Sequence, residues 1–278
     1  MATISLHRIA HRAGIGCLWC VALTWMLAAA PAGAAQEASP SGAEAELLRR
    51  AGAAAQQFVQ HLGSVQYMEH LAQRELKDNG KVNYQQDAFF DSLMLVRRES
   101  GRLVAEESAH KERPSNGFEI RPLLRTSGFS TLALLLHPYY EQNFHFSALD
   151  DEVVSGRRLR LLHFEHVRGT DSPTALRLRG RDYPLDLSGI IWLDPETGSV
   201  VRIVALLSES LDDIGLRSLN CDVQYAPIVL PETATAFWLP ESATIELRTP
   251  KQHWRNVHTY SKYRKYSVDV LVGTGESQ

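Results

Sequence analysis

The chain has 278 residues, 44% of them hydrophobic and 22% charged, with a formal net charge of −3. This length is enough for one large domain with a hydrophobic core. The weak negative charge excludes the large cationic surface that binding to nucleic acid or to an anionic membrane requires.

The first 35 residues are predicted to be a secretory signal peptide. Arg8 and Arg12 form a basic start, Ile15–Ala30 is an apolar run, and small residues lead to a cleavage site near Ala34 or Ala35. The apolar run has 16 residues, fewer than the ~20 that span a bilayer, so a cleaved leader is favoured over an anchor. The expected location is the bacterial periplasm.

Two of the three cysteines, Cys17 and Cys20, lie in the predicted leader, and neither has the sequence context of a lipidation site. Cys221 alone would remain, so the mature chain cannot form an internal disulfide and must be held by packing. The leader also carries two arginines and no acidic residue, so its removal takes the formal charge to −5.

Residues 36–42 are predicted to be a tether, and residues 43–278 to be a single domain that begins with a helix. Ser41 and Glu44 form a capping box, and Gly63 ends the helical pattern. The apolar residues recur at helical spacing, at Leu47, Leu48, Ala51, Ala55, Phe58, Val59 and Leu62. A single apolar stripe predicts that the helix packs on a sheet.

From residue 64 the period of the pattern changes to two, which predicts strands. Turns at Asp78–Lys81 and Glu99–Gly101 separate predicted strands at 82–98 and 102–109. Long strands joined by short turns indicate an antiparallel meander. Residues 110–128 are predicted to be a polar loop.

Phe129–Leu136 is apolar on every side and ends at a His-Pro step. A segment that is apolar all round must be buried all round. We predict a short helix that fills the concave side of the sheet, with a strand as the alternative.

Further strands are predicted around 143–148, 157–168, 174–179, 216–225 and 244–248, with a loop at 226–235. The clearest hairpin is Gly189–Leu206, whose turn contains Pro195 and a glycine, Gly198, that can adopt positive φ. Both of its strands are apolar on both faces. This pattern predicts that the hairpin is covered on each side of the sheet.

The hairpin 189–203, the segment 237–245 (FWLPESATI) and the closing segment 260–264 (YSKYR) resemble the LolA/LolB-like superfamily of outer-membrane lipoprotein carriers. That superfamily also contains periplasmic sensor domains of the envelope stress response. The resemblance implies an α+β fold: a single curved antiparallel half-barrel sheet with an N-terminal helix and an inserted apolar plug helix. It further implies a concave apolar face that holds an acyl chain in some members.

The candidate ligand-binding residues are therefore apolar ones expected on the concave face. They are Phe129, Leu132, Leu135, Leu136, Trp192, Trp238 and Tyr263. The wider aromatic set also includes Trp254, Tyr260 and Tyr266, and these side chains either line a ligand groove or fill the core.

Metal binding and catalysis are not indicated. His163 and Glu165 share a strand face while His166 points away, a spacing that fits no helical metal motif. Cys221 is interpreted as a small buried residue. No nucleophile elbow or nucleotide-binding loop is present, so no catalytic residue, metal or cofactor is expected.

An arginine-rich region either meets an acidic partner or forms cross-strand charge pairs, and charge pairs are favoured. Its members are Arg157, Arg158, Arg160, Arg168, Arg177, Arg179 and Arg181.

The leading hypothesis is an exported, non-catalytic binding protein whose apolar cavity accepts a lipid or acyl group. The alternative is an envelope-sensing or scaffold domain that binds a protein partner without a small ligand. Exposed apolar surface would mark the alternative, and an enclosed cavity the leading hypothesis.

Overall fold

The computed structural model describes residues 42–63, 65–99, 101–111, 128–178, 181–231 and 236–266. The predicted signal peptide, residues 36–41 of the predicted tether with the capping residue Ser41, and most of the predicted polar loop lie outside these ranges.

The described residues form one long helix, a plug and twelve strands, with a second, very short helix after the plug. The helices are α1 (Gly42–Leu62), the plug, a 3₁₀ helix (Phe129–Leu136), and α2 (Pro138–Glu141). The strands are β1 (Val65–Leu76), β2 (Val82–Glu99), β3 (Arg102–Lys111), β4 (Phe144–Val154), β5 (Arg157–His166), β6 (Ala175–Leu178), β7 (Arg181–Pro184), β8 (Leu187–Leu193), β9 (Val200–Leu207), β10 (Ser218–Val229), β11 (Ala236–Arg248) and β12 (His253–Lys265).

Ten strands form one open antiparallel sheet, in the order β3-β2-β1-β12-β11-β10-β9-β8-β5-β4. Strands β6 and β7 form a separate two-stranded ribbon. The first strand pairs with the last, so the N-terminal meander joins the rest of the sheet through β1 and β12. The predicted α+β fold with one antiparallel sheet is confirmed.

Helix α2 links the two edges of the sheet. The Tyr140 hydroxyl donates to the carbonyl oxygen of Leu103, in edge strand β3, at 2.6 Å. Three residues after α2, the chain enters β4, the opposite edge, at Phe144. Because one short helix contacts β3 and continues into β4, the sheet must curve around the segment that precedes α2.

That segment is the plug, which lies on the concave side with α1. All eight plug residues are buried, so the predicted helix is confirmed, with 3₁₀ geometry. The apolar stripe of α1 is also buried, at Leu47, Ala51, Ala55, Phe58 and Leu62. It packs against the plug and against β2 and β11.

Several element boundaries differ from the predicted ones. The predicted loop 226–235 begins with strand, because β10 continues to Val229 and β11 begins at Ala236. Pro240 lies within β11, where a register shift at Gln224/Tyr225 accommodates it in the ladder. Strand β4 runs to Val154, six residues beyond the predicted end, and helix α2 was not predicted.

The expected cover on both faces of the β8–β9 hairpin is found on the inner face only. Ile191 and Leu193 are fully buried there. On the outer face Ile190 and Trp192 are half-buried, and the Arg202 guanidinium lies 5.0 Å from the Trp192 ring centroid. Long side chains of neighbouring strands, rather than a second layer, shield this face.

The turn of the same hairpin packs directly on α1. Gly198 has φ of 72°, as predicted, and a Cβ atom at this position would lie 2.6 Å from the carbonyl carbon of Arg50. The Arg50 side chain donates to the carbonyl oxygen of Pro195 at 2.6 Å. The turn therefore fixes where α1 lies on the sheet.

We expect Gly198→Ala to destabilise the protein far more than Gly80→Ala. Both glycines have positive φ, which costs an alanine ~1–2 kcal/mol. An added Cβ at Gly80 meets no atom within 4 Å, whereas at Gly198 it overlaps the α1 backbone and adds a further ~1–3 kcal/mol. Urea denaturation of the two variants measures the difference, and equal losses would contradict this packing.

Candidate functional site

A cavity of about 120 Å³ lies between α1, the plug and strands β9–β11. Its walls include Ala54, Phe58 and His61 of α1, Ala133 of the plug, Tyr225 of β10 and Trp238 of β11. One side opens towards solvent, where the exposed residues Gln57 and Ala236 also line the cavity. The size is close to that of an engineered apolar cavity of ~150 Å³ that binds benzene.

Tyr225 anchors the plug beside this cavity. Its hydroxyl accepts a hydrogen bond from the Ala133 backbone N–H at 3.0 Å and donates to the Ser130 carbonyl at 3.4 Å. Its ring packs edge-to-face against Phe58, with centroids 5.9 Å apart. Burial raises the pKa of Tyr225, so the hydroxyl stays neutral. The plug is therefore held as a wall of the cavity.

His61 forms part of the rim. Its ring lies 3.9 Å from that of Phe237, centroid to centroid, on the α1 side of the cavity. Burial lowers the pKa of His61, which favours the neutral imidazole at pH 7. The rim residue next to the apolar wall is therefore a neutral hydrogen-bonding group.

A charge pair lies near Trp238. The Arg157 guanidinium is 5.7 Å from the Trp238 ring centroid and donates to Asp194 at 2.7 Å. Burial opposes ionisation of Asp194, but hydrogen bonds from Thr197, Arg157 and the Glu196 backbone outweigh it and lower its pKa. Asp194 is thus ionised at neutral pH, and it holds the Arg157 cation beside the Trp238 ring.

The predicted ligand-binding residues are not all brought together. Trp238 lines the cavity, whereas Phe129, Leu132, Leu135 and Leu136 are buried within the packed plug and lie outside its lining.

Two predicted aromatic residues lie away from the cavity. Tyr263 is buried, donates to the Pro240 carbonyl at 2.6 Å and packs on Tyr67. Trp192 faces the opposite side of the sheet, where its indole donates to Glu152 at 2.7 Å. No pattern in the sequence pointed to His61 or Tyr225, because their role depends on strands and helices that are distant in sequence.

The other candidate residues have structural surroundings. His163 and Glu165 face the outer side of the sheet, while His166 lies on the inner side with Asp186 at 2.8 Å. Among the residues that the structure describes, no three histidine, cysteine or acidic residues are grouped so that they could hold a metal ion.

Arg157 and Arg160 of the arginine-rich region form ion pairs, with Asp194 at 2.7 Å and with Asp151 at 3.1 Å. The side chains of Arg177, Arg179 and Arg181 lie outside the described residues.

Cys221 is 2% exposed on the concave face, paired in register with Ala205 and Ile245. Burial raises the pKa of its thiol to about 12. A protonated, enclosed thiol is a poor nucleophile.

Comparison with known proteins gives matches in structure alone. No family model matches the chain. No curated protein matches it either. Within the part of the chain that the structure describes, no helix is long and apolar enough to cross a bilayer.

Three solved structures match most of the chain at low identity. A putative outer membrane lipoprotein-sorting protein domain from Vibrio parahaemolyticus is 11% identical, covers 82% of this chain and 95% of its own, and has a TM-score of 0.43. A DUF1329 family protein from Desulfovibrio piger is 12% identical, and the match covers 81% of this chain and 94% of that protein, with a TM-score of 0.40. A LolA superfamily protein from Nitrosomonas europaea is also 12% identical, and the match covers 77% of this chain and 94% of that protein, with a TM-score of 0.37. The likeness concerns the fold alone.

We expect Cys221 to resist alkylation in the folded protein. With its pKa raised to about 12, the thiolate at pH 8 is about a thousandfold rarer than for a thiol of pKa near 9. Iodoacetamide labelling followed by peptide mass spectrometry reports Cys221 separately from Cys17 and Cys20. Labelling in urea is the control, and equal rates with and without urea would contradict the buried environment.

Proposed function

We propose that the protein is an exported, non-catalytic binding protein whose cavity between α1 and the plug receives an apolar group such as the end of an acyl chain. The observation that carries this proposal is the cavity itself, an unfilled space on the concave face with walls from Phe58, Ala133 and Trp238. A space of this kind that opens to solvent is a natural site for a small apolar ligand.

The size of the cavity limits how much of a chain it holds. A volume of about 120 Å³ is slightly smaller than one that accepts benzene, and thus suits a terminal segment of about four carbons. Burial of each methylene contributes ~0.8 kcal/mol, so such a segment supplies about 3 kcal/mol. A ligand therefore needs further contacts outside the cavity.

The rim supports a polar head at the open side. His61 is a neutral hydrogen-bonding group there, and Gln57 adds an exposed amide. Arg157 is held near Trp238 by Asp194. A carboxylate or other acceptor at the head of an acyl chain would find hydrogen-bond donors on this side.

The predicted leader and the resemblance to carrier proteins support a periplasmic site of action. A fatty acid or the acyl chain of an envelope lipid would then be the ligand. The competing hypothesis, a domain that binds only a protein partner, gives no role to the cavity.

We expect Ala54→Phe to weaken binding of dodecanoate at least tenfold, whereas Ala53→Phe leaves it unchanged. Ala54 lines the cavity, so a benzyl group there fills it and removes the binding energy of about two methylenes or more. Ala53 is the neighbouring, exposed residue of α1 and is absent from the lining, which makes it a matched control.

Isothermal titration calorimetry below the micellar concentration measures both variants. Lack of dodecanoate binding to the unmodified protein, or equal affinity in the two variants, would overturn the proposal.

A further inference from the structure

A second concavity lies at the other end of the sheet, between the β1–β2 turn and the β11–β12 turn. It encloses about 490 Å³, and its walls are Glu75, Asn83 and Tyr84 on one side and Leu247, Thr249, Gln252 and Trp254 on the other. We call it the polar groove. It shares no residue with the cavity at α1. Along β11, ten residues separate Phe237 from Leu247, or about 33 Å.

The sheet register places an acidic residue between two aromatic ones in this groove. Glu75 pairs with Tyr84 of β2 on one side and with Trp254 of β12 on the other. Residues directly opposite in antiparallel strands project from the same face, so the three side chains form a row across the concave surface. Strands are ~4.8 Å apart, which puts about 9–10 Å between the Tyr84 and Trp254 backbones.

The lining excludes two ligand classes. Among the described residues the lining contains no lysine, arginine or histidine, so a phosphate or carboxylate ligand would lie beside Glu75 with no cation in that lining to compensate its charge. Six of its seven residues carry a hydrogen-bonding group, and Leu247 alone is aliphatic. Glu75, Asn83, Tyr84 and Thr249 already have partners within the protein, but an acyl chain would leave the Trp254 indole N–H and the Gln252 amide without any, at a cost of ~1–3 kcal/mol each.

Several polar groups of the groove can form further hydrogen bonds. Trp254 is 5% exposed, and its indole N–H makes no hydrogen bond with any described residue. The exposed Gln252 amide has no side-chain partner within the described ranges either. Glu75 accepts from Asn83 at 2.9 Å through one of its two carboxylate oxygens. A ligand that both accepts from Trp254 and donates to Glu75 would use these two groups together.

The row of side chains next to the groove, towards the middle of the sheet, is polar and held by hydrogen bonds. The Gln73 amide donates to Asn256 at 3.0 Å, and the Gln86 amide donates to Gln73 at 2.9 Å. Gln73 and Asn256 are each 1% exposed. This hydrogen-bonded row holds one side of the groove in position before a ligand arrives.

We propose that the polar groove binds a neutral saccharide. A sugar hydroxyl both donates and accepts, which satisfies Glu75 and Trp254 together, and the C–H face of a sugar ring fits the half-exposed ring of Tyr84. An organic cation uses Glu75 but leaves the Trp254 and Gln252 donors unmatched. The volume of about 490 Å³ suits one or two sugar rings.

The test uses nuclear magnetic resonance titration of the full-length protein with maltose, cellobiose and N,N′-diacetylchitobiose. We expect at least one disaccharide to shift the Trp254 indole N–H signal in a saturable way. Tyr84→Ala and Gln252→Ala should each weaken that binding about tenfold. Phe89→Ala is the matched control, since Tyr84 and Phe89 are both 45% exposed on β2 and face opposite sides of the sheet; it should bind normally.

The outcomes are decisive in both directions. If none of the three disaccharides shifts the Trp254 indole signal at about 50 mM, the proposal is overturned. An equal effect of Tyr84→Ala and Phe89→Ala also overturns it. Choline chloride tests whether the groove binds an organic cation instead of a sugar. If no disaccharide binds, and choline binds in a saturable way that Glu75→Gln abolishes, the groove is a cation site and the saccharide proposal is wrong. Dodecanoate binding at α1 is independent of all these results.

Discussion

The plug against the concave face is the interaction on which the rest of the structure depends. A curved sheet of ten strands has a larger apolar inner face than α1 alone covers, and exposure of that face would be costly. The eight buried residues Phe129–Leu136 cover the part that α1 leaves open. Without the plug, the cavity would have no wall at Ala133, and α2 would not link the two sheet edges through Tyr140.

An apolar segment still carries backbone polar groups that must be satisfied inside the protein. Tyr225 satisfies two of these groups, because its hydroxyl accepts a hydrogen bond from the N–H of Ala133 and donates one to the carbonyl of Ser130. The same ring packs on Phe58 of α1. The Tyr225 side chain thus contacts the plug and α1 from strand β10 of the sheet. The cavity is the space that remains between these three elements.

The concave face changes in chemical character along β1. Near the plug the face is aliphatic and aromatic, while beyond Tyr67 on β1 it carries the buried polar residues Glu69 and Gln73. Glu69 pairs with His258 at 2.5 Å and accepts from Ser92 at 3.3 Å. Buried polar groups must be paired to be tolerated, and this network pairs Glu69 with residues of both neighbouring strands, β2 and β12.

Much of the fold is visible in the sequence because local patterns encode it. The helical stripe from Leu47 to Leu62 and the turn at Gly198 depend on neighbours close in the chain, and both were predicted correctly. The plug was also predictable, since a segment apolar on all sides has no solvent-exposed arrangement. Strand ends were not, because a register shift lets Pro240 lie within β11.

The sites were harder to predict because they depend on register between distant strands. Trp192 alternates with equally apolar neighbours, so its face could not be read from periodicity, and it lies on the outer side. The groove needs Glu75 beside Trp254, residues that meet only because the first strand pairs with the last. Such a pairing over most of the chain leaves no local sequence signal.

Hydrogen–deuterium exchange of the plug amides tests the central claim most directly, because it reports whether this segment opens independently of the sheet. If the plug is an integral wall anchored by Tyr225, the amide of Ala133 should exchange as slowly as those of the central strands β10 and β11, through global unfolding only. Exchange of Ala133 at the rate of an exposed turn such as Asp78–Gly80 would show that the plug is not held against the sheet and would contradict the proposed cavity.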